Sequence, residues 1–212
     1  MIELVGRMLV GLAIFAAAGF AGVLLARRAC ESIVAFDDGP ATAEPPSTYL
    51  IAACALLGSI VVLRGAPLDT IVLSAVIWTA LVACWYCDVA RGIVPDMFTL
   101  VPLIAVLAYG IASHRYDVII AAIVPFVPFA AAAFLSKGMG MGWGDVKLAA
   151  LGGAVLGMQN AVLAFGIACI AAVICSRGVR GSRTRRPIAF APYLAASIGI
   201  GIAYQALPIW HR

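Results

Sequence analysis

The chain has 212 residues, of which 64% are hydrophobic and only 11% charged, with a formal net charge of +4 and a mean hydropathy of +1.08. That apolar fraction is far above what a water-soluble globular domain carries, and the longest polar gaps, Arg27 to Thr48 and Ser176 to Pro187, are too short to fold as soluble domains of roughly 50 residues or more. The composition therefore excludes a soluble enzyme and gives no sign of nucleic-acid binding; the positive charge, concentrated in the Arg residues between Arg177 and Arg186, suits an anionic lipid surface.

The first apolar run, Val5 to Ala26, reads as a retained helix with its N-terminus outside, because Arg7 is offset by Glu3 and the stronger pair Arg27-Arg28 follows the run. A polar loop from Arg28 to Thr48 comes next, with Asp37-Asp38-Gly39-Pro40 and Glu44-Pro45-Pro46 as turn signals. Tyr49 to Leu63 and Thr70 to Cys87 form a helical hairpin. Asp88 to Asp96 is a loop leading to a second hairpin, Met97 to Ala112 and Asp117 to Leu135, whose Pro125 and Pro128 are expected to kink it. Asp145 to Cys175 is too long for one crossing of roughly 20 residues and splits near Gly152, Gly153 and Gly157. Ile188 to Leu207 is the last span. The expected fold is an all-α polytopic membrane bundle of about eight transmembrane helices, six or seven in the alternative, forming a single membrane-embedded domain over residues 1–212.

In this scheme ten Lys and Arg residues (Arg27, Arg28, Arg91, Lys137, Lys147, Arg177, Arg180, Arg183, Arg185 and Arg186) lie on one side and four (Arg7, Arg64, Arg115 and Arg212) on the other. The basic side is expected to be cytoplasmic. It also holds Asp88 and Asp145. Asp145 closes the glycine-rich stretch Gly138-Met139-Gly140-Met141-Gly142-Trp143-Gly144-Asp145-Val146-Lys147. A carboxylate near hydrocarbon costs roughly 2.5 to 3.5 kcal/mol on insertion scales, so it is read as functional, with Asp88 as its partner.

Two such acids can hydrolyse a peptide bond when one is protonated and the other takes a proton from water. Asp88, at the end of an inward-running helix, is expected to be the acid by both dipole and desolvation, and Asp145, at the start of an outward one, the anion by its dipole and backbone N–H groups. Gly142 and Gly144 are expected to admit unusual backbone dihedrals and close approach of an extended substrate. Lys147 is expected to steer the loop or hold a lipid phosphate, and Asp96, after Pro95, to cap the following helix. His114 and His211 are assigned no role. The spacing Cys84-x-x-Cys87 lacks the second pair that structural zinc needs, so neither metal nor cofactor is expected.

Asp88-Val89-Ala90-Arg91-Gly92-Ile93-Val94-Pro95-Asp96, Gly142-Trp143-Gly144-Asp145-Val146-Lys147-Leu148 and Arg186-Pro187-Ile188-Ala189-Phe190-Ala191-Pro192-Tyr193-Leu194 resemble in order and spacing three segments of the type IV prepilin leader peptidases, membrane aspartic proteases of the Gly-x-Gly-Asp class. Ala191 stands where that family usually has Gly. The resemblance runs from Asp88 to the C-terminus and implies a catalytic pair, Asp88 and Asp145, with Gly142, Gly144, Lys147, Pro95 and Asp96 as the supporting loop. It implies cleavage of a short basic leader from prepilin- or pseudopilin-like substrates at the cytoplasmic face of the bacterial inner membrane, among membrane lipids. The segment Arg28 to Thr48 holds only Cys30, where bifunctional members carry two Cys-x-x-Cys pairs, so N-methylation is not expected. The competing readings are a small proton-coupled transporter, disfavoured because both acids sit at helix ends on one side, and an inactive component of a pilus or secretion apparatus.

Overall fold

The computed structural model describes residues 2–34, 45–136, 141–178 and 189–205. Among them are eight helices: α1 (Ile2–Val34), α2 (Ser47–Leu63), α3 (Leu68–Arg91), α4 (Asp96–Ala112), α5 (Asp117–Leu135), α6 (Trp143–Leu156), α7 (Met158–Gly178) and α8 (Ala191–Gln205). The all-helical polytopic architecture read from the sequence is the one found. Within α1, α3, α5 and α7, spans are long and apolar enough to cross a membrane; α2, α4 and most of α8 are apolar but shorter.

α6 organises the bundle. Fourteen residues make about 21 Å of helix, short of the roughly 30 Å hydrocarbon layer. It is buried on nearly every side from Asp145 to Leu156, against α4, α5, α7 and α8. A helix that is apolar all round belongs in the middle of a bundle, and its Ala and Gly residues let neighbouring backbones come close. Gly153 shows how close: a Cβ there would overlap the carbonyl oxygen of Ala121 on α5. Pro125 is the residue that leaves that carbonyl without its helical donor, so the proline and the glycine occupy one contact. α5 continues unbroken through Pro125 and Pro128.

One buried cluster draws on all eight helices, including Phe15, Ile77, Leu81, Leu148, Leu151 and Ile198. Large apolar side chains are also exposed on the outside, among them Val101, Ile104, Leu163, Ile167 and Ile170. In water such a surface would associate; in a bilayer it is the lipid-facing surface.

Two boundaries differ from expectation in ways that shape the site. α1 runs on through Arg27, Arg28 and Cys30, because nothing between Arg28 and Val34 breaks a helix and Cys30 is buried against α3, its Sγ 3.7 Å from that of Cys87. The Asp37-Asp38-Gly39-Pro40 turn and Glu44 lie outside the described residues. α3 continues to Arg91 and ends at Gly92 in the left-handed region (φ 68°), whose N–H donates to the carbonyl of Asp88 at 2.8 Å. Asp88 is thus in the last helical turn rather than in a loop. The expected break of the long Asp145 to Cys175 run is found at Gly157, with φ 77°. Lys137 to Gly140, the Arg-rich segment from Val179 to Ile188, and Ala206 to Arg212 lie outside the described residues.

Candidate functional site

The C-terminal end of α3 and the N-terminal ends of α4, α6 and α8 meet at one end of the bundle. Asp88 is buried there in the final turn of α3, and Asp145 is buried in the first turn of α6. The two carboxylates are near enough for their charges to act on each other, and Cys84, one turn before Asp88, lies within range of both. They are the only buried acids among the described residues.

Each acid is held by a backbone N–H, but from different sources. Asp145 is the third residue of α6, and its Oδ2 reaches back to accept from the N–H of Gly142 at 3.2 Å, half of a capping box. Its other oxygen, Oδ1, is buried without a hydrogen-bond partner among the described residues. A buried carboxylate oxygen without a partner is costly to hold. The Oδ2 of Asp88 accepts from the N–H of Ala191 at 3.0 Å, across 103 residues of chain. Ala191 is the first residue of α8, so the carboxylate that ends α3 also sits at the positive end of α8. This corrects the expected asymmetry between the acids: both meet a helix N-terminus, and the dipoles do not by themselves assign the proton to Asp88.

The glycines act differently from the sequence-based expectation. Gly142 has ordinary extended dihedrals (φ −80°, ψ 152°), and a Cβ on it would meet nothing closer than 3.6 Å. Gly144 is the one that is sterically required: its Cβ would fall 2.6 Å from that of Val94, in the link between α3 and α4. Pro95, not Asp96, takes the position before the first residue of α4, and no side-chain cap is formed there. The Asp96 carboxylate instead pairs with Lys147, Oδ1 to Nζ 2.6 Å. Of the residues expected to support the pair, Gly142 bonds Asp145, Gly144 and Lys147 lie within two residues of it, and Asp96 joins Lys147, while Pro95 opens α4 beside Asp96.

The cysteines are packing groups at this end. Cys84 faces the carbonyl of Phe98, and Cys87 faces Cys30 and the carbonyl of Ala26. Among the described residues no three His, Cys, Asp or Glu side chains gather as a metal-binding group.

Sequence reasoning missed two participants. One is the N–H of Ala191, a backbone donor without a side-chain signature, signalled only by the following Pro192, which fits the start of a helix. The other is Val94, whose only trace is the glycine it faces.

Fold and site together define a polytopic helical membrane protein with a buried pair of aspartates at one end of its bundle. Residues 74–176 match the model of the type IV leader peptidase family, and over this segment the chain is similar to that family of peptidases. The matched segment contains both Asp88 and Asp145, while α1, α2 and α8 lie outside it. No curated protein and no solved structure matches the chain.

Proposed function

We propose that the protein is an aspartic endopeptidase of the bacterial inner membrane that removes the short basic leader of type IV prepilin- or pseudopilin-like proteins at the cytoplasmic face. The observation that carries this reading is the pairing of Asp88 and Asp145. They are two buried carboxylates within electrostatic reach, each tethered through one oxygen to a backbone N–H. In this reading the two acids carry one proton between them and titrate as one unit. The ionised member takes a proton from a water, which attacks the scissile carbonyl carbon, while the protonated member hydrogen-bonds the carbonyl oxygen. The resulting diol collapses as the C–N bond breaks and the amine receives the proton. Oδ1 of Asp145, which has no hydrogen-bond partner among the described residues, is the oxygen assigned to hold that water. The single cysteine of the Arg28 to Thr48 segment supports an enzyme that does not methylate its product.

The ends of α3, α4, α6 and α8 on the basic side of the sequence support a cytoplasmic site, where a leader has not crossed the membrane. The test is co-expression with candidate prepilins. A size shift with the wild-type chain that is lost with Asp145→Ala, at equal membrane insertion, is the expected result; equal processing by both chains contradicts the proposal.

A further inference from the structure

The helices that carry the two acids are positioned by intermediaries. α4 and α8 each pack against both α3 and α6. On the α8 side the link is the Ala191 N–H on Asp88. On the α4 side there are two contacts. Gly144, one residue before Asp145, lies against Val94, and Lys147, two residues after it, is ion-paired with Asp96. Both Val94 and Asp96 follow Asp88 by less than ten residues, through the tight exit at Gly92. The link from α3 to α4 is therefore pinned to the first turns of α6 on either side of Asp145.

From this geometry we infer that Lys147 and Asp96 form a clasp that sets the separation of Asp88 and Asp145, making both positioning residues rather than contacts for lipid or leader. The inference rests on the proteolytic reading of the two aspartates. The ion pair is well placed for such a role. Lys147 Nζ and Asp96 Oδ1 are 2.6 Å apart, and the side chains are 27% and 60% exposed, at the wet margin of the bundle. An exposed ion pair contributes little to overall stability, so its consequence is registration of one helix start against another. A displacement of about 1 Å between reacting groups costs on the order of 100-fold in rate, so even a weak clasp has a large catalytic effect. A lysine that recruited lipid phosphate or acidic substrate would instead act through binding.

The test is cleavage of a purified prepilin by the full chain in lipid vesicles, with kcat and KM separated. Asp96→Asn and Lys147→Gln are each expected to lower kcat by about 100-fold with little change in KM, and to alter the pH profile of kcat. Exchanging the charges, Asp96→Lys with Lys147→Asp, is expected to recover at least tenfold of the loss, and Lys147→Arg to retain most of the rate. The clasp is overturned if the single variants keep their kcat, if the loss falls on KM, or if charge exchange and Lys147→Arg both remain as slow as the singles. Thermal unfolding of the same variants reads the pair without activity: the singles should lose only a little of the midpoint, as an exposed pair requires, charge exchange should restore that small loss, and strictly additive shifts count against a pair. Asp145→Asn separates the two ideas. If it cleaves like the wild type, the proteolytic reading fails, while the unfolding coupling still reports whether the pair exists.

Discussion

Asp88 and Asp145 occupy the same end of the bundle, are equally buried and accept one backbone hydrogen bond each, yet they are held at very different range. Asp145 is fixed by its own segment: Gly142, three residues earlier, donates to it as α6 starts. Asp88 is fixed by a helix that begins 103 residues later in the chain. The local arrangement forms as soon as one helical turn forms. The distant one requires that α3 and α8 already be packed together. The lesson is that one acid is built by secondary structure and the other by tertiary structure, so perturbations remote in sequence should reach Asp88 first.

The largest effects should come from the acids themselves. Asp88→Asn and Asp145→Asn each keep the shape of the side chain and remove the proton exchange, and each is expected to slow leader cleavage by roughly 100- to 10,000-fold in a vesicle assay while leaving the protein inserted. Next is Gly144→Ala. Its new Cβ would overlap that of Val94, and overpacking of this kind costs about 1 to 3 kcal/mol, read as a lowered unfolding midpoint together with a reduced kcat. Ala191→Pro tests the long-range arm alone. Proline suits the first position of a helix but has no N–H, so α8 survives while Asp88 loses its donor; a loss of about 1.5 kcal/mol, roughly tenfold in rate, is expected. Gly142→Ala should matter least. Its dihedrals suit alanine, the new Cβ would make only ordinary contacts, 3.6 Å from Asp145 Oδ2 at the nearest, and the N–H that holds Asp145 is retained, so the change should stay below about 1 kcal/mol. A Gly142→Ala effect larger than that of Gly144→Ala would reverse the roles given to the two glycines.

The same contrast of range explains how much was legible in the sequence. Hydropathy and glycine placement gave the helices well: α5 has the expected limits Asp117 to Leu135, and Gly157 divides α6 from α7. Counting crossings puts Asp88 and Asp145 at the same end of the bundle, because an odd or even number of spans decides which ends share a side, but it does not bring them together. What did not show were pairings set by packing. Asp96 looks like a helix cap when only its neighbours are considered, but Lys147, 51 residues away, takes its carboxylate. Cys30 reads as loop from its neighbours alone, but its burial against Cys87 keeps it in α1. The dipole argument for Asp88 took account of α3, on which it lies, and had no means of including α8, whose N-terminus meets it.

The central claim is that Asp88 and Asp145 work as one unit, and a double-mutant cycle on kcat tests it most directly. The account predicts that Asp88→Asn with Asp145→Asn is no slower than the slower of the two single variants, because removing either acid already disables the pair. Multiplication of the two single losses, or a single variant that cleaves at the wild-type rate, would contradict it.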